Sequence, residues 1–279
     1  MQMTSRSKTF LLALVLSVSL PVLGSLLAGP VGAAVGAVVA LAWLALAFLW
    51  ADRFLLGLYH ARPLSYLEAA SVYRTIQRLV RRAGVKMPEL WLIPEAAPNA
   101  LAVVSGHKRL IGVTEGLLRQ LNALELEAVL AQRLAYLTQP EARLASIVGA
   151  LASAAFRLAN FLLWGLLSLS PEEDRKPNRF ARMWEATVLP WLAQWVRWSL
   201  PPTSFFLADH RAAEWTGSPS ALASALRKIG RSSTGLESGG PETAHLFLIS
   251  PWPGRFDLAG WKERALRLDA AQGQRPQAA

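Results

Sequence analysis

Gln132, Arg133 and Tyr136 are the first candidates for chemistry in this sequence. They stand at i, i+1 and i+4 within Glu127–Leu137, so on a helix they share one face. That spacing is the one in which the motif H-E-x-x-H holds zinc through two His and activates water through its Glu. The residue types do not support that chemistry. Gln is a poor neutral ligand, and Arg stays protonated at neutral pH, so Arg133 cannot act as a base there and would repel a cation. Phe205 and Asp209 repeat the i, i+4 relation further along. A guanidinium, an amide, a carboxylate and two rings suit ion pairing and packing. The expectation is that Arg133 pairs with Asp209 and that Phe205 packs on Tyr136 or on the Arg133 guanidinium. The bland alternative is that Arg133 snorkels to solvent from an empty cleft.

Other reactive constellations are sparse. The chain has no Cys, which excludes disulfides, thiolate metal sites and Cys nucleophiles. Its four His are His60, His107, His210 and His245, and none has a second His at helical spacing. Ser105-Gly106-His107 reads as a turn, with no orienting acid or oxyanion hole marked beside it. The net charge of +10 lies mostly in juxtamembrane and helical segments, where it faces anionic lipid. No basic strip interleaved with aromatics is present, so nucleic acid is not expected as a partner.

The elements that must position these residues can be read from periodicity and punctuation. Residues 65–84 have the apolar spacing of an amphipathic helix, closed by Gly84. Glu89–Ile93 reads as a strand. Asn99–Val104 and Arg109–Val113 read as a hairpin around Ser105-Gly106-His107-Lys108. Thr114 caps a helix over Glu115–Leu121, and Asn122 or Ala123 opens the central helix, with Glu125 and Glu127 in its first turn. Helix resumes over Asp209–Trp215, a helix runs over Ser220–Ile229 after Ser218-Pro219, and a last one covers Trp261–Leu268. Residues 231–242 read as a mobile Ser/Gly-rich linker, and 271–279 as a disordered tail.

No charge occurs between Thr9 and Ala51, a run too long for one membrane crossing of about 20 residues. Gly29-Pro30 breaks it into two. After a short segment 1–8, residues 9–51 are therefore expected to form a transmembrane helical hairpin. A cleaved signal over Phe10–Leu20 is the alternative, but a second apolar run follows at once. Arg6 and Lys8 before the hairpin, and Arg53 and Arg62 after it, place both ends on the cytoplasmic side. Residues 144–208 hold two further apolar stretches, 144–170 and 188–208, around a charged loop at 171–179. Trp184, Trp191, Trp195 and Trp198 lie on one helical face, packed on a core or forming an interfacial belt.

Taken in order, these pieces resemble the HtpX family of bacterial membrane zinc metallopeptidases. The resemblance rests on the N-terminal hairpin, Ala83-Gly84-Val85-Lys86-Met87-Pro88, Pro98-Asn99-Ala100 and Val113-Thr114-Glu115-Gly116-Leu117-Leu118. It continues through Glu125–Ala131, Ala208-Asp209, Thr216–Leu222 and Ala225–Ile229. It implies an α+β, mostly helical, zincin-like domain with a small β-sheet, split into residues 52–143 and 209–270. It also implies zinc, with its first His at the position of Gln132, its catalytic Glu at Arg133, its second His at Tyr136 and its third ligand at Phe205. Of the site, only Asp209, which stands behind the ligands, matches. A His-Pro before the final helix is replaced by Asp257-Leu258-Ala259-Gly260-Trp261.

The expectation is thus a degenerate member of that family, without zinc and without catalysis. Such a protein would sit in the bacterial inner membrane with its main domain cytoplasmic, as a scaffold or polypeptide-binding factor in membrane-protein quality control. Its partners would be the bilayer and either unfolded or membrane polypeptides or an active protease. By analogy with the family cleft, an extended peptide would add to the edge strand at Asn99, Ala100, Leu101, Ala102 and Val103. The alternatives are a divergent metallopeptidase with an unrecognised site and a structural membrane subunit with a filled cleft.

Overall fold

A computed structural model of the chain describes residues 5–153, 201–232, 241–252 and 259–273, with the side chains of 5–51 described in part. The loop at 171–179, the Trp184–Trp198 face, most of both apolar stretches after 144 and the tail from residue 274 lie outside the described residues.

Helix α1, Ser5–Leu58, reverses at Gly29-Pro30. Gly29 has a left-handed φ of 58°, and a Cβ added to Gly24 would fall 2.1 Å from the Gly32 carbonyl oxygen. Eight residues of unbroken helix span about 12 Å, so this approach requires the chain to fold back on itself. The Gly29-Pro30 break expected from the sequence is thus where the chain turns back. Among the described residues no helix is long and apolar enough to cross a membrane.

The domain is α+β and mostly helical. Its sheet comprises β1 (Arg62–Pro63), β2 (Glu89–Ile93), β3 (Ala100–Ser105) and β4 (Lys108–Thr114), in the order β1-β2-β4-β3. β2 and β4 run parallel, and β3 and β4 form the antiparallel hairpin, with Leu101 opposite Gly112. Around the sheet lie α2 (Ala70–Ala83), α3 (Glu115–Gln120), α4 (Ala123–Leu137), α5 (Thr203–Thr216), α6 (Pro219–Ser232) and α7 (Trp261–Gly273).

Helix α4 is the central element. Asn122 caps it through a reciprocal capping box: its side chain accepts the Glu125 N–H, and the Glu125 carboxylate accepts the Asn122 N–H. That carboxylate also accepts bonds from Ser224 at 2.7 Å and Lys228 at 2.8 Å, tying α4 to α6. Every residue from Ala128 to Leu137 is buried, because the sheet, α2, α5 and α6 surround the helix. At its far end Gln139 donates to the Ser204 carbonyl and Arg211 to the Thr138 hydroxyl, fastening α5 alongside.

Several expected boundaries shift. Helix α2 begins at Ala70, not at residue 65, and Leu67, an apolar residue of the expected helix, is 91% exposed. Helix α5 begins at Thr203 after Pro201-Pro202, so the division drawn between residues 208 and 209 falls inside a continuous helix. Pro241–Leu246, partly assigned to the linker, is a turn of 3-10 helix.

Candidate functional site

Helices α4, α5 and α7 meet in a buried polar cluster. Gln132, Arg133 and Tyr136 come from α4, Phe205 and Asp209 from α5, and Arg264 from α7; all six are buried. The equal spacing on α4 and α5 puts each set on one face, and the two faces oppose each other.

The expected Arg133–Asp209 pair is not formed. Asp209 is held by Arg264, whose Nε donates to Oδ2 and Nη2 to Oδ1, both at 2.8 Å. The third arm of Arg264, Nη1, donates to the Leu248 carbonyl at 2.6 Å. Gln132 stands between the two charged centres. Its Nε2 donates to Asp209 Oδ1 at 2.9 Å, and its Oε1 accepts from Arg133 Nε at 2.7 Å. Arg133 Nη1 donates to the Leu246 carbonyl at 3.3 Å. A planar fork fits a carboxylate best when it meets both oxygens, and from α7 Arg264 achieves that while Arg133 is one amide away.

The ring contacts agree with the sequence expectation in both of its forms. The Phe205 ring lies 5.3 Å from the Tyr136 ring. It also lies 5.8 Å from the Arg133 guanidinium carbon and 5.3 Å from that of Arg264. Tyr136 faces Arg133 at 5.2 Å. These are cation–π distances, each worth roughly 0.5–2 kcal/mol depending on desolvation. Burial, with the repulsion of Arg264 added, lowers the Arg133 pKa to about 9. Burial raises Tyr136 to about 12. At neutral pH Arg133 is therefore charged and Tyr136 neutral.

The donor set does not fit zinc. Two cations occupy the cluster, Phe205 offers no lone pair, and both Asp209 oxygens are engaged by Arg264. Among the described residues no group of three or more His, Cys, Asp or Glu could hold a metal ion.

Asn99, Ala100, Leu101, Ala102 and Val103 are all buried, and the outer edge of β3 is covered at its start. Leu101 forms an antiparallel bridge with Phe247, and the Leu248 N–H donates to the Ala100 carbonyl at 2.7 Å. The Asn99 side chain donates to the Ile249 carbonyl at 2.7 Å. At the other end Ser146 takes the Val104 N–H, and Leu55 and Leu56 of α1, with Tyr59 just after it, share one apolar cluster with Leu101 and Val103. The edge expected to be open to an added peptide is thus covered by the chain's own 247–249 segment and by α1. Arg264 grips the Leu248 carbonyl within that segment, and Arg133 grips the Leu246 carbonyl just before it.

Residues 66–231 match the model of peptidase family M48. The chain belongs to this family. It is 34% identical over 236 residues to a protein from Sulfurovum sp. named Protease HtpX homolog, covering 83% of this chain and 84% of that one. A relative of the same name from Syntrophobacter fumaroxidans is 33% identical over 260 residues, covering 91% and 92%. One from Pyrococcus furiosus is 33% identical, covering 83% and 82%. The resemblance read from scattered motifs is therefore shown over most of the chain. The span matched to M48 takes in α4 and α5 and stops before Arg264.

Arg264 was missed by sequence reasoning. Its signal was present: Trp261, Arg264, Ala265 and Leu268 fall at helical spacing, so Arg264 occupies the apolar stripe of α7. A charged residue on a stripe otherwise facing the core calls for a buried partner.

Proposed function

We propose that this chain is a non-catalytic M48 protein, a membrane-anchored pseudopeptidase that acts as a scaffold or regulatory partner in membrane-protein quality control. The observation that carries the reading is the placement of Arg133. The position where the family resemblance puts the general base holds a buried guanidinium, fixed between Gln132 and the Leu246 carbonyl. A group that stays protonated at neutral pH cannot activate water. The Gln132–Asp209–Arg264 chain of hydrogen bonds links α4, α5 and α7, a cross-link that the family would otherwise draw from its metal. Anchoring in the bilayer is supported by the uncharged run from Thr9 to Ala51 and its reversal at Gly29.

A second reading, a structural membrane subunit, is favoured by the covered edge of β3. Incubation of the full-length protein, purified in mild detergent, with an unfolded membrane protein separates the possibilities. The pseudopeptidase reading expects stable co-elution without cleavage. Cleavage products would overturn it, and the absence of both cleavage and retention would favour the structural subunit.

A further inference from the structure

A buried charge is costly unless an opposite charge faces it. Among the described residues the cluster holds two guanidiniums, Arg133 and Arg264, against one carboxylate, Asp209. Arg264 engages both Asp209 oxygens, so that pair is internally neutral. Among the described residues Arg133 is left with neutral acceptors only, the Gln132 amide oxygen and the Leu246 carbonyl. Tyr136, whose ring faces the Arg133 guanidinium, is a neutral phenol at physiological pH. The remaining donor, Arg133 Nη2, is buried and has no hydrogen-bond partner among the described residues. The excess positive charge and the spare N–H thus lie at one point. A water molecule could satisfy the N–H but would leave the charge uncompensated.

We infer that the Arg133 Nη2 side of this cluster binds a small monovalent anion, either a halide or a carboxylate group. The Tyr136 and Phe205 rings that flank the guanidinium at 5.2 and 5.8 Å keep water away and so strengthen its attraction for an anion. They also favour one weakly hydrated charge over a divalent phosphate or sulfate, whose desolvation costs far more. This site rests on the charge count of the cluster and holds whether or not the chain acts as a scaffold.

The test uses the full-length protein in detergent, exchanged into sulfate, the divalent anion the site disfavours. Its thermal midpoint is titrated with chloride, bromide or acetate at fixed pH and ionic strength. A saturable rise in midpoint is expected, because a ligand that binds only the folded state stabilises it by mass action. Arg133→Met should lose the saturable response, and Arg81→Met, on the exposed face of α2, should keep it. A response to halides and acetate alike identifies a general monoanion site, and a response to acetate alone identifies a carboxylate site. No saturable response from the wild type, or an undiminished one from Arg133→Met, overturns the inference. If Arg133→Met does not fold, Arg133→Lys serves in its place: it keeps the charge but removes Nη2. It should weaken the apparent affinity about tenfold, the loss expected for one charge-assisted hydrogen bond; an unchanged affinity contradicts the site.

Discussion

Arg264 and Asp209 are joined by two parallel hydrogen bonds of 2.8 Å in the interior of the domain, one from Nε and one from Nη2. The pair ties the last helix to α5. Its side chains are 1% and 5% exposed, so neither charge has water to fall back on. Removing either partner strands the other, at a cost of about 3–5 kcal/mol. Arg264→Met and Asp209→Leu should each lower unfolding stability by that order in urea melts. The double variant should lose clearly less than the sum of the two. Strict additivity would mean the two residues do not act as a pair.

Gln132 is the relay between the two arginines. Gln132→Leu removes the acceptor of Arg133 Nε and a donor to Asp209 Oδ1 together. Leaving a buried donor unpaired costs about 1–3 kcal/mol, with the charged guanidinium at the upper end. The same denaturation assay should register that loss. Arg133→Met, by contrast, deletes the charge that the cluster fails to neutralise and should be neutral or stabilising.

Alkaline pH should act on Arg133 and Tyr136 in opposite directions. Burial lowers Arg133 from its ordinary strongly basic value to about 9 in the folded protein. Between those values the unfolded chain binds more protons, so this group makes stability rise with pH. The penalty it imposes is complete below about pH 9 and is relieved above it. Burial raises Tyr136 from 10.0 to about 12, so between those values the folded state binds more protons and stability falls as pH rises. The stability advantage of Arg133→Met over the wild type should therefore shrink from pH 8 to pH 10. Tyr136→Phe should weaken the loss between pH 10 and pH 12. A pH-independent difference for either variant would show that the group does not titrate as described.

Asn99 holds the covering segment against β3. It donates to the Ile249 carbonyl, and its Oδ1 accepts the Ala100 N–H at 2.9 Å and the Ile249 N–H at 3.4 Å. Asn99→Ala should cost about 1–3 kcal/mol through the buried backbone groups left unpaired. Amide hydrogen exchange should quicken at Leu248 and Ile249 before it does in α4. If exchange there is unchanged, the segment is held by its apolar burial and not by Asn99.

The parts of the fold legible in the sequence are those marked by local chemistry. β2, the β3–β4 hairpin and the caps at Thr114 and Asn122 carry their own turn and capping residues, and the structure reproduces them. Of the cluster, the α4 and α5 faces were legible because i, i+4 spacing fixes a face. The partner choice was not. Asp209 lies within reach of two arginines, and only the tertiary placement of α7 gives it Arg264. The edge of β3 was misjudged for a similar reason. The bridge to Phe247 and the bonds of Leu248 and Ile249, all distant in sequence, cover its start, and Phe247–Ile249 reads locally as a short apolar run. The start of α5 could have been read from Pro201-Pro202, since proline favours the first turn of a helix.

The central claim, that side chains and not a metal hold this M48 centre together, is tested most directly by the zinc content of the full-length protein purified without chelator and dialysed against zinc-free buffer. The account expects no stoichiometric zinc and an unfolding midpoint unmoved by strong chelators. One tightly bound zinc per chain, lost on substitution of Gln132 or Asp209, would contradict it.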